Sequence, residues 1–181
     1  MRIVGGKYRG RRIDVSRGFD SRPTTDFARE ALFNILANKV DFDEIRVLDL
    51  FGGTGSISFE FASRGCTEID MVDNNSRSVQ FIGQVAAELG VTGLHPVRMD
   101  FFRFIPICKK QYNIIFADPP YTLRNLRDIP DLVLQHQLLL PDGMLILEHG
   151  KSNNFQDHLN YTAERHYGSV HFTFFSSQQK A

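Results

Sequence analysis

Cysteine is scarce in this chain, with Cys66 and Cys108 alone among 181 residues. Two isolated cysteines provide neither a disulfide framework nor the spacing of a metal site, and a reducing cytoplasm is the expected compartment. Long apolar runs are also missing. None approaches the roughly 18 residues of a membrane-spanning helix, and Met1-Arg2-Ile3-Val4-Gly5 lacks the apolar stretch of a secretory leader. His95, His136, His149, His158, His166 and His171 show no metal-ligand spacing, so no metal is expected. Charge of either sign is not in excess, with 21 basic and 21 acidic side chains. The global basic footprint of many nucleic-acid binders is therefore absent.

Charge is present locally. Residues 1–13 hold Arg2, Lys7, Arg9, Arg11 and Arg12 with no acid, and residues 1–30 carry eight basic against four acidic side chains. That net of +4 leaves −4 for the remainder, an asymmetry that marks a localised electrostatic footprint. Glycines alternate with these cations and with Tyr8. The pattern predicts a small hairpin or arm over 1–21, with Tyr8 and the arginines outward for phosphate contact and base stacking. A hydrophobic fraction of 42% and a charged fraction of 23% are ordinary for a globular protein. The length suits one domain spanning 1–181. We expect a monomer.

The chain is organised around residues 45–56, I-R-V-L-D-L-F-G-G-T-G-S. Its apolar run predicts a parallel strand buried on both faces. Asp49 interrupts that run, and Gly52, Gly53 and Gly55 then permit a tight turn and close approach to a ligand. Open α/β sheets bind small molecules at such strand ends. The dinucleotide fingerprint fails because Ser58 stands where its third glycine belongs, and no phosphate-loop Lys follows. An acid before the loop disfavours a pyrophosphate and favours a cation. S-adenosylmethionine (SAM), which carries a sulfonium and an ammonium, fits that requirement. A second acid, Asp73, ends the next expected strand at 68–73, where an acceptor for ribose hydroxyls belongs.

The other elements follow in order. Pro23, Thr24, Thr25 and Asp26 open a helix whose apolar face is Ala28, Ala31, Leu32, Ile35 and Leu36, with Arg29, Glu30 and Asn34 off that stripe. Helices are expected at 57–64, 75–89 and 131–140, short ones at 101–107 and 153–159, and a loop at 16–21. Further strands are expected at 95–99, 112–117 and 144–148, with a turn at 141–143 and an antiparallel pair at 163–167 and 169–176. Alternation of strands and helices predicts an α/β, doubly wound, Rossmann-like sheet, mostly parallel with an antiparallel C-terminal edge pair.

Asp118-Pro119-Pro120-Tyr121 follows the fourth strand. Two prolines remove two backbone donors, so the segment presents carbonyls and a carboxylate beside an aromatic ring. That set can hold the exocyclic amine of a flipped-out base, with Asp118 and the Pro119 carbonyl accepting from the amine and Tyr121 stacking on the ring.

D-L-F-G-G-T-G-S with D-P-P-Y resembles class I SAM-dependent N-methyltransferases of nucleic-acid bases. R-I-V-G-G-K-Y-R-G-R-R-I and R-P-T-T-D-F-A-R-E-A-L-F-N-I-L narrow the resemblance to the RsmD family, bacterial methyltransferases of guanine N2 in 16S ribosomal RNA. It runs from residue 1 to about 150. It implies that Phe51, Gly52, Gly53, Thr54 and Gly55, with Asp49, hold the methionine part of SAM. Asp73 would bind the ribose, Asp100 would lie near the adenine amine, and Asp118–Tyr121 would be catalytic. Arg22, Thr24 and Thr25 match the family's R-P-T segment beside the active site, the threonines on the cofactor side and Arg22 with Lys7, Tyr8, Arg9, Arg11 and Arg12 on the RNA side. The family more often has alanine at Gly53 and asparagine at Gln84. The implied partner is 16S ribosomal RNA or the assembling small subunit. A DNA adenine or cytosine amino-methyltransferase shares both motifs but needs a target-recognition domain for which 181 residues leave little room. A non-catalytic RNA-binding module would have no reason to combine Asp73 with D-P-P-Y.

Replacing Arg9, Arg11 and Arg12 with alanine should weaken RNA binding and flatten its salt dependence, because each phosphate contact releases counterions. SAM affinity should hardly change. Binding titrations over a range of salt concentrations check both.

Overall fold

The computed structural model describes residues 1–15 and 25–178. The expected loop at 16–21 and the site candidates Arg22 and Thr24 lie outside them.

Among the described residues seven strands form one sheet: β1 (Arg46–Leu50), β2 (Glu68–Asp73), β3 (Leu94–Arg98), β4 (Tyr112–Ala117), β5 (Leu139–His149), β6 (Tyr161–Tyr167) and β7 (Val170–Ser176). Their order is β3-β2-β1-β4-β5-β7-β6. The first five strands are parallel, while β7 runs antiparallel to both β5 and β6. The chain moves outward from β1 to β3 and then returns to β4 on the other side of β1. The carboxyl ends of β1 and β4 therefore face the reversal point where open sheets hold ligands.

Period-two alternation divides the core. Val47, Ile114 and Phe116 join one apolar cluster with α1 (Asp26–Leu36), α2 (Ser56–Ser63) and α3 (Ser76–Leu89). Leu48, Leu50, Ile115 and Ala117 join the other with α4 (Phe101–Ile107) and α5 (Ile129–Gln135). Both sheet faces are covered, which is why the central strands are continuously apolar. Short polar side chains cap three of the helices. Thr25 accepts from the Ala28 amide, Asn75 from Arg77, and Asp100 from Phe102 and Arg103.

Three expectations change. The helix expected at 131–140 starts earlier and ends at Gln135, because Pro130 suits a first turn and Gln137 takes a left-handed φ of 53°. The expected turn at 141–143 lies inside β5. Tyr112 pairs with Leu139 and Ile114 with Met144, so the extra residues bulge out between them. No helix forms at 153–159. There Asn154 Oδ1 accepts the Gln156 amide, and the His158 ring accepts the Asn160 amide. These local side-chain bonds compete with helical ones.

The N-terminal arm closes through one antiparallel bridge, Arg2 opposite Arg12, with Ile3 N to Arg11 O at 3.0 Å and Ile13 N to Met1 O at 2.9 Å. Ile3 and Ile13 are buried against the α1–α2 side. Arg29, off the apolar stripe of its helix, is 1% exposed because the arm covers it. Its guanidinium donates to Arg2 O at 2.6 Å, to Asp26 Oδ1 at 2.7 Å and to Glu60 Oε1 at 3.2 Å. Glu60, itself buried, also accepts the Val4 amide at 2.6 Å and pairs with Arg64. The arm is thus bolted to the domain through a buried ion network.

Arg29→Met should destabilise the protein by about 3–5 kcal/mol, because Glu60 loses a buried partner and the arm loses a donor. Thermal unfolding and faster tryptic cleavage within the arm check this.

Candidate active site

Four carboxylates stand at or near the carboxyl ends of adjacent strands. Asp49 lies in β1, Asp73 ends β2, Asp118 follows β4 and Glu148 is the penultimate residue of β5. Between them the turn after β1 is drawn tight. Gly52 packs so closely on β2 that a Cβ would lie 2.3 Å from Met71 Cγ, so any larger residue would force the buried Met71 side chain to move. Gly53 has φ 54°, a conformation that costs an alanine roughly 1–2 kcal/mol, so glycine is the unstrained choice here. Asp73 pins this turn, accepting the Gly53 amide at 2.8 Å on one oxygen and the Asn75 amide at 2.7 Å on the other.

Asp49 plays a different part from the one its position suggests. It is 2% exposed and accepts both the Ser58 amide at 3.1 Å and the Ser58 hydroxyl at 2.5 Å on one oxygen. It holds the start of α2 from behind the turn and does not line the cavity described below. Burial pushes its carboxyl up to about 7, against the pull of the Ser58 bonds and with added repulsion from Asp73.

A cavity of about 1000 Å³ opens above β1 and β4. One wall holds Phe51, Gly53, Asp73 and Asp100, with Phe102 beside them. Phe51 stacks on Phe101 at 5.2 Å, and both capping bonds of Asp100 fall on Oδ1, leaving Oδ2 for a ligand. The opposite wall is Asp118, Pro119, Pro120, Tyr121 and Glu148. The Asp118 amide donates to Leu50 O at 3.3 Å, which ties this segment to the end of β1. Its carboxyl is raised well above the usual carboxylate range, first by burial, then by Glu148, then by Asp49. Tyr121 lies against Gly150, where a Cβ would be 3.2 Å from the ring, and its hydroxyl donates to Glu148 Oε1 at 3.3 Å.

The sequence-derived candidates thus fall into three groups. Phe51, Gly53, Thr25, Asp73, Asp100 and the D-P-P-Y residues meet at one cavity. Asp49, Gly52, Thr54 and Gly55 support the turn without lining that cavity. Lys7, Arg9, Arg11 and Arg12 are exposed on the arm, whose tip lies at the far end of α2 through bonds from Lys7 and Tyr8 to Ser63. Tyr8 does not face outward. It is half-buried against the core, with Lys7 Nζ over its ring at 5.3 Å. Glu148 escaped the sequence reading, although an acid inside the apolar run L-I-L-E-H repeats the signature of Asp49. Phe27 and the β6–β7 turn carry no local signal, since only folding brings them to the cavity. Among the described residues no cluster is placed to hold a metal ion.

The model of the family described as Conserved hypothetical protein 95 matches residues 1–176. The chain belongs to this family, the RsmD family of methyltransferases. The Ribosomal RNA small subunit methyltransferase D of Escherichia coli K12 is 32% identical to this RsmD-family chain over 151 residues, covering 82% of this chain and 74% of that one. A hypothetical protein of Thermus thermophilus superimposes with a TM-score of 0.85 at 28% identity, over 97% of this chain and 98% of its own. A SAM-dependent methyltransferase from Agrobacterium tumefaciens shares the fold alone, with a TM-score of 0.64 at 20% identity over 83% of this chain and 62% of that one. The RsmD-family sheet is that of class I methyltransferases.

Because the folded Asp49 binds its proton more tightly than the unfolded chain, its stabilising contribution is complete below its unfolded value of 3.8 and is lost as pH rises through about 7. Asp49→Asn should therefore gain stability relative to the parent between about pH 4 and pH 8, by up to about 4 kcal/mol. Denaturant unfolding at several pH values checks the sign.

Proposed function

We propose that this chain is one methyltransferase domain that transfers a methyl group from SAM to the exocyclic N2 amine of a guanine in 16S ribosomal RNA, with the arm as an RNA-binding extension. One observation carries the reading. A single cavity joins the acid-pinned glycine turn to D-P-P-Y, and its volume of about 1000 Å³ suits a cofactor and a flipped-out base side by side.

The lining fits SAM. Asp73 keeps acceptor capacity for ribose hydroxyls after its two backbone bonds. Asp100 Oδ2 can accept from an adenine amine, and Phe51 and Phe102 offer apolar surface for that ring. Asp118 and Glu148 make the centre electronegative, which favours a sulfonium and disfavours a pyrophosphate. SAM supplies an electrophilic methyl group on sulfur.

The chain supplies acceptors and orientation. An aryl amine is a poor nucleophile because its lone pair is delocalised into the ring. Asp118 and the Pro119 carbonyl accept its two hydrogens and favour a pyramidal nitrogen, and neither proline offers an N–H to compete. Tyr121, backed by Gly150, stacks on the base and fixes its plane. Orientation of this kind supplies up to about 7–11 kcal/mol. The raised affinity of Asp118 for protons suits it to take up the amine proton and release it to solvent. The acids around the cavity repel RNA phosphates, and the exposed cations of the arm draw the strand in from outside.

Asp118→Ala should lower methyl transfer to small-subunit RNA by roughly 100- to 10,000-fold with far less effect on SAM affinity. Tyr121→Ala should cost about 1–3 kcal/mol, while Tyr121→Phe should cost little, since the hydroxyl bond at 3.3 Å is long. Activity should fall as pH drops through the raised Asp118 value, because the ionised carboxylate is the stronger acceptor and alone can take up the amine proton. Glu148→Gln should move that limb to lower pH by removing a like charge. Radiolabelled methyl transfer across pH, with nucleoside analysis of the product and titration of SAM, checks these outcomes.

A further inference from the structure

Five large apolar side chains are prominently exposed among the described residues, and three of them, Phe27, Phe102 and Tyr121, line the same cavity. A single exposed ring needs no explanation, but a concentration of rings at one opening marks a binding surface. Tyr121 serves the reacting base, and Phe102 stands on the Asp100 side. Phe27 has no role in that chemistry, yet it is the most exposed of the five, at 70%.

Its position is built. Phe27 sits in the first turn of α1, whose start is fixed by the Thr25 cap. Its ring meets Tyr167 edge to face, with centroids 5.8 Å apart and planes at 81°. Tyr167 ends β6, packs on the buried Phe172 and pairs with Val170 across the two-residue turn Gly168-Ser169. Turn and ring line the same rim of the cavity. Positive charge lies beside them. Arg2 Nε donates to Oδ2 of the neighbouring Asp26 at 3.1 Å, and the Arg2 side chain remains 55% exposed. The bridge between Arg2 and Arg12 brings a second exposed arginine to the same end of the arm. An open aromatic ring next to a phosphate-seeking charge is the equipment that binds an unpaired nucleotide.

We propose that Phe27, propped by Tyr167, is a second base-stacking platform at the cavity rim, holding an unpaired nucleotide that adjoins the methylated guanine while Arg2 draws its phosphate. The proposal rests on the function proposed above and names the form of its substrate: a single-stranded segment presenting two unstacked bases, the reacting one on Tyr121 and its neighbour on Phe27. Restacking the neighbour offsets part of the cost of extracting the target base.

The test uses the full chain, with Phe27→Ala, Phe27→Leu and Phe27→Tyr, and with Leu159→Ala as an exposed apolar control that does not line the cavity. In methyl transfer to 16S RNA and to small ribosomal subunits, Phe27→Ala and Phe27→Leu should raise the RNA KM about tenfold. Phe27→Tyr and Leu159→Ala should behave as the parent, and SAM affinity should not move. A Phe27→Leu enzyme with parental KM would show that apolar bulk suffices and would overturn the stacking platform. So would an unchanged KM in Phe27→Ala where Asp118→Ala has abolished transfer, and that outcome leaves the proposed function standing. If the parent methylates no RNA, the proposed function fails, and binding of a short mixed-sequence RNA, single-stranded or in a duplex, decides the platform by itself. Tighter binding of the single strand, lost in Phe27→Ala and kept in Phe27→Tyr, supports it, whereas equal single-strand affinity in the parent and Phe27→Ala overturns it.

Discussion

Two carboxylates hold the turn between β1 and α2, and the geometry of the site depends on them. Asp73 grips the Gly53 amide from β2, and Asp49 grips Ser58 from within β1. These bonds place the turn against β2, bring Phe51 onto Phe101 and leave Gly53 facing the cavity. Gly52 permits this closure, because any side chain there would collide with Met71. The two acids divide the work. Asp73 is half-buried and keeps lone pairs for a ligand, whereas Asp49 is fully enclosed and is occupied by the protein itself.

Electrostatics are segregated across the molecule. Acids gather where parallel strands end, in surroundings dry enough to raise Asp49 and Asp118 far above ordinary carboxylates. Cations gather over residues 1–13 without a single acid. A neutral total thus hides two opposite fields. One suits a cationic donor in a desolvated cavity, and the other suits a polyanion arriving from solvent.

Arg29 and Glu60 join these two parts. Their buried pair sits between α1 and α2 and captures the backbone of the arm at Arg2 and Val4. The same helix presents Thr25 and Phe27 to the cavity, so the arm and the rim are fixed relative to one another through a single helix.

Local chemistry made much of this legible in advance. Apolar runs marked the strands from β1 to β4, a proline with hydroxyl caps marked the start of α1, and a glycine cluster flanked by acids marked the turn after β1. Two prolines after a buried strand marked the opposite wall. Each of these signals is carried by residues adjacent in the chain, which is why the sequence by itself determined the α/β alternation, the edge pair and the places of Asp73 and Asp118 at strand ends, while Asp100 was indicated by the family resemblance alone. Tertiary structure alone decided what depends on distant partners. Arg29 is buried because the arm lies over it, and Asp49 turns inward because Ser58 reaches it first. Glu148 becomes part of the site because β5 lies beside β4. Phe27 meets Tyr167 because the β6–β7 edge returns to the start of α1. A residue's own neighbours in sequence set its backbone, but the low-dielectric surroundings that assign a charge or a ring its role are assembled only by the fold.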